Sequence, residues 1–186
     1  VEDIDMNLDD FILRVNSDLV GKVVNIASRC AGFINKRFDG TLSSELSEPE
    51  LFKRLASTEK SEYIAGLYES REYSKAMREI MLLADEANQY IDEHKPWVLI
   101  KEPGRESEVQ DVCSMGLNLY RLLIIYLKPV LPVLAKKSEE FLRLDALNWE
   151  DLQRPLLRTK INKFKPLMTR VEKERIDAMI EDSKEN

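Results

Sequence analysis

Between Asn7 and about Phe38, the apolar residues Leu8, Phe11, Ile12, Val15, Leu19, Val23, Ile26, Cys30 and Phe33 recur every three or four positions. That spacing follows the turn of an α-helix, about 3.6 residues, and buries one stripe of a long rod. The same period returns along the rest of the chain. Sustained apolar–polar alternation, the mark of a half-buried strand, does not occur, and β-branched runs are short. The sequence therefore predicts an all-α fold: a bundle of about five long helices, most neighbours antiparallel, with a C-terminal tail helix packed back on it.

Stop and start signals divide the bundle. "RFDG" ends the first helix, which is expected to bend near Gly21, with Gly40 free to turn left-handed. Ser47 reads as an N-cap, Pro49 as a first-turn proline and Glu50 as the partner of the cap, opening a second helix from about Glu48 to Ser70. A third is expected from about Arg71 to Glu93, with Tyr73, Ala76, Ile80, Leu83, Ala84, Ala87, Tyr90 and Ile91 turned inward. "HKPWVLIKEPGRE" reads as a connection, and a fourth helix as spanning about Glu106 to Tyr126. Pro129 and Pro132 interrupt the next segment, which continues as helix to about Leu144. "LNWEDL" reads as a short capped turn. The whole of 1–186 is expected to be one domain, with the bundle over about 7–145 and a basic tail with a last helix over about 153–186. In "INKFKPL", Phe164 and Leu167 should pin that tail while the lysines between them stay wet.

Composition narrows the function. Of 186 residues, 44% are hydrophobic and 33% charged, with only 6 glycines, which suits a folded soluble chain. No stretch approaches the roughly 20 apolar residues of a membrane span, so no membrane partner is expected. Cys30 and Cys113 lie in apolar helical patterns and are expected to be free core thiols in a reducing, cytoplasmic setting. No glycine-rich phosphate loop, zinc-spaced cysteine pair or HExxH is present, and His94 has no nucleophile or carboxylate relay beside it in sequence. Catalytic residues and metal ligands are therefore expected to be absent from this chain. The net charge of −6 argues against nonspecific coating of nucleic acid, yet the stretch from Arg154 to Arg175 carries eight Lys/Arg against two Glu. Any nucleic acid would meet a small, chosen surface.

That surface has a candidate. In "LVGKVVNIASRC", Asn25 and Arg29 stand one turn apart at the edge of the apolar arc, with Lys22 near and the small residues Gly21, Ser28 and Gly32 alongside. A flat group could approach there. A bland reading is also open, in which Arg29 pairs with a carboxylate and Asn25 bridges two helices. Trp97, after Pro96, can either plug the end of the core or offer its face to a base, a stacking worth about 1–3 kcal/mol. Asp85 and Asp92, seven apart, mark one flank of the third helix, either as solvent face or as part of the same site.

The segments "NSDLVGKVVNIASRCAGFINKRFDG", "DEHKPWVLIK", "SMGLNLYRLLIIYLKPVLP" and "INKFKPLMTRVE", in this order, resemble the C-terminal part of bacterial methionyl-tRNA synthetases, along essentially the whole chain. The resemblance implies the α-helical anticodon-binding domain of a class I aminoacyl-tRNA synthetase. In that family an Asn and an Arg on the first long helix bond bases of the CAU anticodon and a Trp stacks on its first base. Those roles would fall on Asn25, Arg29 and Trp97, with Pro96 shaping the loop. The acidic residues that help reject wrong anticodons would be Asp85 and Asp92. Relatives often read "LVNK" where this chain has "LVGK", so any contact from position 21 is missing here. The implied partners are the anticodon loop of tRNA(Met), not DNA, and the catalytic domain of the same enzyme. The HIGH and KMSKS signatures, the ATP and Mg chemistry and any structural zinc would lie before residue 1, leaving this fragment without cofactors.

Single-stranded anticodon bases can be splayed and read by stacking and by their Watson–Crick edge. Arg29 can donate to the acceptors of cytosine and the amide of Asn25 can accept from its amino group, whereas uracil reverses donor and acceptor at two positions. Such a site requires Arg29 and Trp97 on one exposed patch, within about 12 Å. The rival readings are the helical domain of another class I synthetase, such as those for leucine, valine or cysteine, and a bundle that only docks another protein.

Overall fold

The computed structural model describes residues 21–167. The N-terminal part of the first expected helix and the last expected helix near Arg170–Lys184 lie outside the described residues. A π-type turn over residues 21–24 leads into α1 (Asn25–Arg37). Then follow α2 (Pro49–Leu55), α3 (Thr58–Glu69), α4 (Tyr73–His94), the four-residue α5 (Pro96–Leu99), α6 (Glu106–Leu127) and α7 (Pro132–Leu142), and a 3₁₀ turn at Trp149–Asp151. Among the described residues there is no strand, only a single bridge between Thr41 and Lys160. No described helix is long and apolar enough to cross a membrane. The architecture is the expected all-α bundle, with α1, α3, α4, α6 and α7 as its five longer members.

The bundle is built around α6. Every residue from Val112 to Leu127 is buried, so over this stretch the helix has no wet face, and it is packed by α1, α4, α7, α5 and α2. Close packing is achieved at Gly116, where an added Cβ would lie 2.5 Å from Sγ of Cys30 and 3.3 Å from Cδ1 of Ile91. Cys30 and Cys113 are free and buried beside it. The helix also carries polar groups inward. Asn118 donates from Nδ2 to the carbonyls of Ser114 (2.9 Å) and Leu156 (3.0 Å) and accepts from the Leu156 N–H (2.6 Å). A buried side chain thereby holds the tail as a neighbouring strand would.

The tail stays on the bundle from there to Leu167. Its backbone pairs with the loop after α1 through Leu42 N–H to Thr159 O (2.8 Å), Arg158 N–H to Ser43 O (2.9 Å) and Ile161 N–H to Gly40 O (2.9 Å). Gly40 has φ of +72°, and a Cβ there would meet Ile161 O at 2.9 Å, so both the turn and the approach of the tail need glycine. Phe164 packs edge-on against Phe141 at 5.3 Å and Leu167 is buried, while Lys163 and Lys165 remain exposed.

The structure differs from the sequence expectation at several boundaries. The single helix expected from Glu48 to Ser70 is two: Ser57 turns extended and its hydroxyl caps the Lys60 N–H, which starts α3 afresh. Ser47 is not the cap of α2. Glu48 holds that position without a side-chain bond, and the Ser47 hydroxyl pairs with the Tyr90 hydroxyl at 2.6 Å. Burial raises the Tyr90 phenol well above its usual range, and a hydroxyl sunk that far requires a partner. Arg71, with φ of +59°, lies outside α4, and Tyr73 is exposed at its first turn rather than inward. The connection after His94 contains a helix, α5, which carries Trp97. Around Trp149, the expected capped turn is present as a full capping box between Asn148 and Asp151.

Candidate nucleic-acid interface

α4 ends in Lys95, a non-glycine residue with φ of +46°, which turns the chain sharply into α5. Pro96 occupies the first helical position, where its missing N–H costs nothing, and is buried together with Leu99 one turn on. Anchored by those two side chains, α5 presents Trp97 and Val98 to solvent, 37% and 43% exposed. Trp97 is therefore not a plug in the core. It is a ring fixed from behind and open in front.

Arg29 reaches this ring from α1. Its guanidinium carbon stands 5.9 Å from the Trp97 centroid, within range of a cation–π contact. Its NH1 donates to Asp92 Oδ1 on α4 at 3.0 Å, and both charged groups remain wet. Seven residues earlier on each helix, Lys22 pairs with Asp85 at 2.8 Å. Both partners lie 63 positions further along the chain, so α1 and its leading turn run beside α4 in the same direction. The rise of about 1.5 Å per residue sets the two pairs roughly 10 Å apart. Exposed pairs of this kind are worth only about 0–1 kcal/mol, so an incoming ligand can displace them cheaply.

Asn25 lies between the pairs, half-buried, with Nδ2 donating to the Gly21 carbonyl at 2.9 Å. Its amide nitrogen is thus engaged, and Oδ1 is the acceptor that remains. Gly32 has open space where a Cβ would be. Asn25, Arg29, Trp97, Asp85 and Asp92 thus share one face, with Pro96 buried beneath it. Arg29 and Trp97 meet well inside the distance the sequence argument required. Arg29 pairs with a carboxylate and also lies over the indole, whereas the Asn25 amide bonds the Gly21 carbonyl one turn back rather than bridging two helices. Lys22 is the member whose partner was not foreseen. The signal was present in sequence: Lys22 and Arg29 are seven apart, as are Asp85 and Asp92, with opposite charge. Among the described residues no cluster of three or more His, Cys, Asp or Glu is placed to hold a metal. His94 instead closes α4, its Nδ1 on the Tyr90 carbonyl at 2.8 Å and Nε2 near Glu48 at 3.4 Å.

The fold has known counterparts. The apo form of Mycobacterium tuberculosis methionyl-tRNA synthetase superposes with a TM-score of 0.78 over 88% of this chain, at 19% identity, and that match takes up 34% of the synthetase. The same organism's enzyme in complex with methionyl-adenylate gives 0.77 over 87% of this chain and 33% of the synthetase, at 20% identity. The chain thus spans about a third of the length of these structures, and at such identity the likeness speaks for the fold. Residues 41–174 match the family model described as the anticodon binding domain of methionyl tRNA ligase. With that match over most of its length, the chain belongs to the family of methionyl-tRNA ligase anticodon-binding domains.

Proposed function

We propose that this domain recognises the CAU anticodon of tRNA(Met) through Asn25, Arg29 and Trp97. It does so on behalf of an ATP-dependent catalytic domain, outside residues 1–186, that joins methionine to the tRNA. The observation that carries the reading is the convergence of Arg29 and Trp97, 5.9 Å apart on an exposed face. Trp97 offers a flat apolar surface for the first anticodon base, cytosine. Arg29 donates to the ring nitrogen and carbonyl of that base, and Asn25 Oδ1 accepts from its amino group. Pro96 holds the indole in place. Asp92 aims the guanidinium across the ring, and with Asp85 it repels phosphates that enter out of register. ATP, Mg and any structural zinc belong to the catalytic part.

Binding of a CAU stem-loop, measured by titration calorimetry, tests this. Trp97→Ala should weaken it by about 1–3 kcal/mol, the worth of one stacked base. Arg29→Gln should cost about 1.5–3 kcal/mol, the worth of a charge-assisted hydrogen bond, and should narrow the preference for C over U at the first base. Neither variant should lower the melting temperature appreciably, because neither side chain is in the core. Unchanged affinity in both variants would remove the proposal.

A further inference from the structure

Asn88 of α4 has no role in the reading above, yet its position relates to Asn25 as Asp85 relates to Lys22 and Asp92 to Arg29: each pair is 63 apart. The middle rung between the two ion pairs is therefore a pair of half-buried amides. Their wiring is the same. Asn25 Nδ2 donates four residues back to Gly21 O at 2.9 Å, and Asn88 Nδ2 donates four residues back to Ala84 O at 2.8 Å. Asn88 Nδ2 also donates across the helices to Lys22 O at 2.9 Å. A backbone carbonyl only accepts, so the nitrogen of each amide must face it and the oxygen must lie on the other side.

We propose that Asn88 is a second specificity-determining residue of this site, its Oδ1 accepting, together with Oδ1 of Asn25, from the exocyclic amino group of the base being read. The inference rests on the anticodon reading and goes beyond it. An exocyclic amino group carries two N–H bonds, and two acceptors use both. Uracil places a carbonyl oxygen there, which would meet two oxygens and no donor. One acceptor alone discriminates less well, because an asparagine can flip and offer its nitrogen to that carbonyl. Asn25 would give up one hydrogen bond in flipping, whereas Asn88 would give up two. Asn88 is thus the acceptor that does not adapt, and the site cannot remodel itself to fit uracil.

The test is the ratio of affinities for stem-loops with CAU and UAU anticodons, measured for wild type, Asn88→Ala, Asn88→Ser, Trp97→Ala and Arg29→Gln. Serine keeps a donor for the Ala84 carbonyl within α4 while removing Oδ1, so it separates the acceptor role from the amide's anchor on its own helix. Both Asn88 variants should lower the C-over-U ratio about tenfold, about one good hydrogen bond. Trp97→Ala should weaken both loops by a similar factor. A ratio does not move when a variant merely loses part of its folded fraction. If the Asn88 variants leave the ratio unchanged, or weaken both loops equally, Asn88 only joins α4 to the turn before α1 and the inference is overturned. If Trp97→Ala and Arg29→Gln leave CAU binding intact, the anticodon reading itself is wrong and this inference falls with it.

Discussion

Gly116→Val should abolish the native packing of the bundle, with a loss of about 3 kcal/mol or more and a broadened thermal transition followed by far-UV circular dichroism. The position has no room: its first added carbon would already lie 2.5 Å from Cys30 Sγ and 3.3 Å from Ile91 Cδ1. Valine adds two methyl groups beyond that carbon. Cys30 cannot swing aside freely, because it is fully buried between α1 and α6 and shares its space with the thiol of Cys113. Gly116→Ala meets the same sulfur, and its gain of about 1 kcal/mol in helix propensity should be outweighed. Combining it with Cys30→Ala removes the obstructing sulfur. The double variant should be more stable than Gly116→Ala alone, a coupling that a mutant cycle would read directly. A Gly116→Ala protein as stable as wild type would mean that α1, α4 and α6 do not meet this closely.

The second large effect is expected at Asn118→Leu. Leucine is close in volume, so the helix and its packing survive, but both polar groups of Leu156 lose their partner inside the core. Each stranded group costs about 1–3 kcal/mol, so the total should reach roughly 2–6 kcal/mol in urea unfolding. The loss should also be local. The tail beyond Leu156 is held by this amide and by the backbone pairing near Gly40, so limited proteolysis should cut between 153 and 167 before the bundle melts. Cleavage elsewhere first, with the tail intact, would show that Asn118 is not its anchor.

Much of this architecture was legible from apolar spacing alone. The stripe through Ala76, Ile80, Leu83, Ala84, Ala87 and Ile91 is the buried face of α4, and Gly40 ends α1 as its residue type suggested. The misplaced elements share a cause: local signals with two uses. Ser47 carries a cap signal, but its hydroxyl is spent on the buried Tyr90 phenol, and the cap that starts a helix is Ser57, on the Lys60 N–H, which the sequence reading did not single out. Asn118 and Arg121 sit in an apolar helix and give no local sign of their partners, the Leu156 backbone and the Asp151 carbonyl, which lie 38 and 30 residues away. At the candidate site, the residue types were visible, and resemblance grouped them. The convergence of Arg29 with Trp97 depends on the αL turn at Lys95 and on the parallel course of α1 and α4, neither of which has a short sequence signature.

The ion pairs that flank the site have a consequence for traffic in a cell crowded with RNA. Proteins gain sequence-independent affinity by releasing counterions from phosphates they neutralise. Here Lys22 and Arg29 already rest on carboxylates, and the chain as a whole carries −6, so few such ions are set free on contact. Affinity should consequently depend only weakly on ionic strength, and most of it must come from stacked and hydrogen-bonded bases. On the proposed reading, an RNA lacking the right bases should find little to hold it and should dwell only briefly. A domain that reads RNA as proposed should sample many RNAs quickly, with its selectivity beginning in how readily it releases the wrong ones.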